Sequence, residues 1–195
     1  MKAAVLQESN GPLVYRDWNV EANEGEKLLE VKFAAINRRD LWIQKGLYPG
    51  IKLPAVLGSD GLVYENDQAF LVNPNLDWGD NPRVPASSYH IRGLEKEGTF
   101  AEFTAVHPDR LAKKPSHLSD EQAATSYINP MTAWLIVSER LRRHKEMTLV
   151  INAANSEIGL ILIRMLNHLR ITPIALVRRD NTEADFEGCN VRSII

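Results

Sequence analysis

Residues 149–159 read LVINAANSEIG, and the passage of this stretch from apolar run to helix start decides the architecture. Met147 to Asn152 is an apolar run of strand length. After a short turn, Ile158 to Leu169 is amphipathic at helical spacing, and a second apolar run, Ile174 to Val177, follows Pro173. Strand, turn, helix and strand in that order make a βαβ unit, which implies parallel strands. The turn is where a pyrophosphate would sit, because the free N–H groups and macrodipole of a helix N-terminus face an anion there. Of the fingerprint G-x-G-x-x-G, Gly159 alone remains. Ala153, Asn155 and Ser156 fill the turn, and Glu157 brings a negative charge to it. A capped helix packed on a sheet, with no ligand, is an equal reading of these residues alone.

The end of the second run, Ala175-Leu176-Val177-Arg178-Arg179, has no acidic residue directly at the strand end. A carboxylate there would bind a ribose 2′-hydroxyl, whereas arginine accommodates a 2′-phosphate. Arg178 and Arg179 therefore favour NADP over NAD, with Asp180 beside them; a solvated strand end is the plainer alternative. Thr182 to Ile195 holds a short helical stretch and an apolar ending that reads as a third strand.

Upstream the period is different. Lys2 to Gln7, Lys27 to Ile36, Ala69 to Val72 and Phe100 to Val106 read as strands, and Asn10-Gly11 is a hairpin signal. Asn73 to Gly93 is rich in breakers. Short strands with Gly- and Pro-rich turns predict a small barrel or sandwich. From Ser119, an N-cap with an acidic first turn, helix is expected over Asp120 to Tyr127; Pro130 interrupts, and Thr132 to Arg143 resumes. The fold class is thus mixed α/β, with domains expected at 1–118 and 119–195.

Composition narrows the function. Of 195 residues, 44% are hydrophobic and 25% charged, so disorder is not expected. Lys plus Arg is 23 against 25 for Asp plus Glu, a balance that gives no reason for nucleic acid or an anionic membrane as partner. The single cysteine, Cys189, excludes an internal disulfide and a multi-thiolate zinc site. The five histidines are scattered without ligand spacing. No apolar run reaches bilayer length and the start does not read as a signal peptide, so a cytoplasmic location is expected.

At this point the sequence resembles the medium-chain dehydrogenase/reductase superfamily, in which a GroES-like barrel precedes a Rossmann domain. The resemblance is carried by AAINRRDLWIQKGLYPGIKLPAVLGSDG (34–61), NPNLDWGDNPR (73–83), EGTFAEFTAVHPDRLAKKPSHLSDEQAA (97–124) and INPMTAW with LVINAANSEIG (128–159). Zinc alcohol dehydrogenases place a Cys ligand where this chain has Asn37 and a His-Glu pair where it has Ser59-Asp60, so no metal is expected. The chain resembles the zinc-independent quinone reductases and 2-enoyl thioester reductases.

The resemblance implies NADPH as cofactor and a quinone, enone or acyl thioester as small-molecule substrate. It implies Tyr48 as proton donor, Asn37 and Arg38 on the substrate side, and Thr132, Asn129, Ala153, Asn155, Ser156, Gly159, Arg178 and Arg179 around the cofactor. A phenol suits proton donation because it ordinarily stays protonated at neutral pH. Two departures oppose activity. The stretch from Gly61 to Ala69 is shorter than the family pattern, so a barrel hairpin is expected to be lost. The chain also covers little more than half a family member's length, so the sheet is expected to be incomplete. A homo-oligomer or a complementing chain, joined through an edge near Ile174 to Val177 or Val191 to Ile195, is expected to cover it. The alternative function is a truncated, catalytically silent homologue that self-associates and does not bind nucleotide productively.

Overall fold

Asn10, at φ 62°, turns the chain between β1 (Lys2–Leu6) and β2 (Leu13–Asp17), which pair antiparallel with Val5 opposite Val14. The computed structural model describes residues 1–141, 147–178 and 183–195. After β3 (Lys27–Ala34), α1 (Arg38–Gln44) leads to β4 (Ala55–Val56), which pairs with the other side of β1. Next come β5 (Gly61–Glu65), β6 (Gln68–Val72), the short pair β7 (Asn75–Leu76) and β8 (His90–Ile91), then β9 (Phe103–Val106) and β10 (Leu111–Lys113). The larger sheet runs β10-β6-β5-β3-β9.

The barrel hairpin expected to be lost is present. β5 and β6 pair in register, Leu62 opposite Leu71, across a two-residue turn in which Asn66 (φ 48°) and Asp67 (φ 63°) are both left-handed. That is the turn whose twist matches paired strands, and Asn and Asp adopt it at little cost. The segment is short because its turn is the tightest that joins two strands.

α2 (Asp120–Ala124) opens on a reciprocal cap. Ser119 Oγ accepts from Gln122 N at 3.2 Å, and Gln122 Oε1 accepts from Ser119 N at 3.0 Å. Its buried Ala123 and Ala124 pack on Leu62 and Leu71. The chain divides into two compact units, Met1–Tyr127 and Ile128–Ile195, and α2 lies in the first of them.

In the second unit α3 (Ile128–Leu135) already contains Pro130, where an interruption was expected. A proline in the first turn removes an N–H that has no helical acceptor, so the helix tolerates it there. A widened turn, Ile136–Arg140, ends it, and 142–143 of the expected helix lie outside the described residues. β11 (Val150–Asn152), α4 (Glu157–His168) and β12 (Ile174–Leu176) form the βαβ unit, followed by a single 3₁₀ turn (Glu183–Phe186) and β13 (Ser193–Ile194). Thr182 lies outside the described residues.

The sheet is parallel in the order β11-β12-β13. Ile174 to Val177, expected at an edge, is therefore central; the edge strands are β11 and β13, because β13 returns on the far side of β12. Gly159, Ile163 and Leu166 form the buried stripe of α4 at helical spacing. Ile163 joins Ala154, Ala175 and Phe186 in this unit's core. Among the described residues no helix is long and apolar enough to cross a membrane.

Candidate functional site

In the first unit the expected substrate-side residues gather where α1 begins. Asn37 caps the helix from extended backbone, and its N–H donates to Asp40 Oδ2 at 2.8 Å. Its side chain turns the other way, Nδ2 donating to Asp60 Oδ1 at 2.8 Å. Asp40, Ser59 and Asp60 are all buried. Burial pushes the Asp40 carboxyl up, against the hydrogen bonds it accepts from Asn37 and Gly58 and the charge of Arg39.

Arg38, expected to face substrate, is exposed, and its neighbour Arg39 turns inward. Arg39 Nη1 donates to Ser59 Oγ and, at 3.1 Å, to the Arg92 carbonyl. The guanidinium carbon lies 5.1 Å from the centroid of the Tyr48 ring. Arg39 Nε and Nη2 are buried without a hydrogen-bond partner. Arg39 is four residues before the fully buried Ile43, so the two share a helix face.

Tyr48 is half-buried and packs on the cluster of Leu6, Ile43, Ala55 and Leu57. The segment between β7 and β8 adds two aromatic rings, Trp78 and Tyr89, edge to face with centroids 4.9 Å apart. Tyr89 donates to Asn75 Oδ1 at 2.7 Å; burial and the nearby Tyr48 raise its phenol, while Arg39 lowers it. Arg92 is fully buried, and burial brings its guanidinium down to about 10. It donates to the Glu97 carbonyl at 3.1 Å and to Thr104 Oγ1 at 3.0 Å.

Two further features of this unit bear on ligands. A polar cavity of about 420 Å³, bordered by the Lys96–Glu26 ion pair (2.6 Å), His90 and His107, contains none of the expected site residues. Among the described residues no three His, Cys, Asp or Glu side chains come together as a metal-binding group.

In the second unit the expected cofactor residues gather around the turn from β11 to α4. Ala153 takes φ 52°, Ala154 is fully buried, and Ser156 caps α4 by accepting from Gly159 N at 3.2 Å. Gly159 has a packing reason: a Cβ there would lie 2.5 Å from the Ala154 carbonyl oxygen and 2.7 Å from that of Ala153. This close approach of helix to strand is the role of the third glycine in a dinucleotide turn. Asn155 Nδ2 donates to Asp185 Oδ2 at 2.9 Å, and Asn129 Nδ2 donates to Glu157 Oε2 at 2.7 Å. Thr132 instead turns its hydroxyl back on its own helix, to the Ile128 carbonyl at 2.8 Å. Arg178 is exposed just past β12, and Arg179 lies outside the described residues.

This combination, antiparallel barrel strands followed by a parallel βαβ sheet with a tight turn at a helix N-terminus, is that of the medium-chain dehydrogenase/reductases. Comparison with known proteins bears this out. The chain is 32% identical over 124 residues to a zinc-type alcohol dehydrogenase-like protein of Schizosaccharomyces pombe, an alignment covering 57% of this chain and 36% of that one. It is 30% identical over 166 residues to a mitochondrial enoyl-[acyl-carrier-protein] reductase of Caenorhabditis elegans, covering 84% of this chain and 45% of the relative. To a quinone oxidoreductase of Salmonella typhimurium it is 28% identical over 148 residues, 72% of this chain and 40% of that protein.

Among solved structures, an NAD-dependent alcohol dehydrogenase matches the whole chain with TM-score 0.85 at 27% identity, over 63% of its own length. A quinone oxidoreductase from Thermus thermophilus matches with TM-score 0.77 at 23% identity, over 59% of its length, and shows likeness of fold. No family model matches the chain. The chain is thus a homologue of the medium-chain dehydrogenase/reductases, with their GroES-like part followed by Rossmann strands. Its relatives include enoyl reductases and a quinone oxidoreductase, and it spans about a third to a half of the length of the curated relatives named above.

Proposed function

We propose that this chain carries the substrate-binding part and the first nucleotide-binding strands of an NADPH-dependent oxidoreductase. Its substrate would be a conjugated carbonyl: a quinone, an enone or a 2-enoyl thioester. The observation that carries the reading is Tyr48, half-buried with its ring under the Arg39 guanidinium.

The β11–α4 turn fits a pyrophosphate in its backbone. Ala153 makes the left-handed bend, Gly159 allows helix and strand to approach, and Arg178 stands past β12 where a 2′-phosphate would favour a cation. Glu157 is the residue that opposes an anion. NADPH, when bound, supplies a hydride. The chain's own part is to hold the substrate and donate a proton, for which Tyr48 offers a phenolic O–H to the carbanion or enolate that reduction creates. Asn37, held by Asp60 through Nδ2, is the second residue offered for the substrate side.

One observation favours a second reading, a homologue that associates without using nucleotide: the Glu157 carboxylate at the start of α4. A fluorescence titration of NADPH against the protein separates the two. It is followed at 340 nm by NADPH oxidation with benzoquinone, 2-cyclohexenone or crotonyl-pantetheine. Binding with turnover that falls at least a hundredfold in Tyr48→Phe, at unchanged NADPH affinity, supports the reductase. Absence of any NADPH signal supports the silent homologue.

A further inference from the structure

The bond from Asn155 Nδ2 to Asp185 Oδ2, 2.9 Å long, sets a carboxylate against the β11–α4 turn. Asn155 is the turn's own side-chain amide, flanked by buried Ala154 and the capping Ser156. Asp185 comes from the 3₁₀ turn Glu183–Phe186, 30 positions further along the chain. Hydrogen bonds to an ionised acceptor are the stronger kind, so this carboxylate holds the amide more firmly than a neutral oxygen would.

The core beneath keeps it there. Phe186, the residue after Asp185, is buried in the same apolar cluster as Ala154, the residue before Asn155. The turn is anchored as well, Ala154 N donating to the Leu176 carbonyl at the end of β12 at 3.1 Å. Adjacent residues of the two segments are thus joined twice, Ala154 and Phe186 through a shared core and Asn155 and Asp185 through a hydrogen bond. Asp185 is half-buried whereas Glu157 is exposed, and solvent ions screen a partly buried charge less.

We propose that Asp185 is an internal anion at the nucleotide turn, an autoinhibitory contact that occupies the Asn155 amide and opposes the phosphates of a dinucleotide. The proposal rests on the reductase reading and deepens it, because nucleotide affinity then depends on the segment between β12 and β13 as well as on the turn. Like charges repel across several ångströms, and more strongly where solvent is partly excluded, so a fixed carboxylate beside the turn weakens the hold on a phosphate without blocking it sterically. Withdrawal of Asp185 frees an N–H donor and removes a charge together. One side chain thereby governs how readily the turn accepts nucleotide.

The test titrates NADPH fluorescence against wild type, Asp185→Asn and Asp185→Ser at low and moderate salt. Both variants keep a small polar side chain on the 3₁₀ turn and lose the charge. Each is expected to bind NADPH at least tenfold more tightly than wild type at low salt, with a gain that shrinks as salt rises. A signal seen only in the variants is the same result in its extreme form. In ¹⁵N-labelled wild type, the Asn155 side-chain amide resonances, assigned by their loss in Asn155→Ala, are expected to move as NADPH binds. Binding that leaves them still overturns the proposal even where a variant fails to fold. Equal affinity in wild type and a folded variant, or a gain indifferent to salt, likewise overturns it and leaves the reductase reading intact. No NADPH signal from any of the three proteins overturns both.

Discussion

Asn129 Nδ2 donates to Glu157 Oε2 at 2.7 Å, tying the first turn of α3 to the first residue of α4. Both residues belong to the candidate cofactor site, and the bond holds a carboxylate at the helix end where an anion would otherwise be welcome.

Glu157→Gly is therefore expected to tighten NADPH binding. At roughly 5 Å and an effective dielectric near 20, like charges oppose each other by about 3 kcal/mol, and solvent exposure reduces this severalfold. About 1.4 kcal/mol remaining corresponds to tenfold in affinity. Fluorescence titration at low and moderate salt measures it, the gain shrinking as salt rises. No gain at low salt would show that the Asn129 bond holds the charge clear of the phosphates.

Gly159→Ala should destabilise the second unit by about 1–3 kcal/mol, because its Cβ meets backbone carbonyls at 2.5 and 2.7 Å that cannot rotate away. Urea denaturation followed by far-ultraviolet circular dichroism reads the loss. An unchanged midpoint would mean that α4 does not sit so close to its strand.

Asp67, at φ 63° in the β5–β6 turn, distinguishes a tight hairpin from a loop. Asp67→Gly is expected to raise stability by a few tenths to about 1 kcal/mol, and Asp67→Val to lower it by about 1–2 kcal/mol, since a β-branched residue resists the left-handed region. Opposite signs in thermal melts of the two variants are the expected result. The same sign for both would refute the turn.

The Tyr64 hydroxyl, 2.7 Å from Asp120 Oδ2, and then the Lys114 ammonium at 3.0 Å hold the Asp120 carboxyl below the usual carboxylate range. A depressed folded value means that the contribution is present above the unfolded pKa near 3.9 and disappears as pH falls through the folded one. Tyr64→Phe should accordingly flatten the loss of stability below about pH 4. Parallel acid titrations of variant and wild type, followed by tryptophan fluorescence, decide it; superimposable slopes would remove this pair from the acid response.

What the sequence by itself determined is what depends on neighbours along the chain. The Asn10 turn, the Ser119 cap and the β11–α4–β12 alternation were all legible, because hydrophobic period, capping and left-handed turns act over a few residues. The Asn66-Asp67 turn belonged to the same class, and its brevity concealed it. The tertiary structure decided the rest. Which of two adjacent arginines faces inward depends on how α1 presents its Ile43 face to Leu6 and Leu57, residues far from it in sequence. Likewise β12 became central because β13 pairs on its far side, and strand order in a parallel sheet is set by the path of the crossover, which local periodicity does not encode. Glu157 found Asn129 across 28 positions of chain, and only the packing of α3 beside α4 could bring that acceptor to that donor.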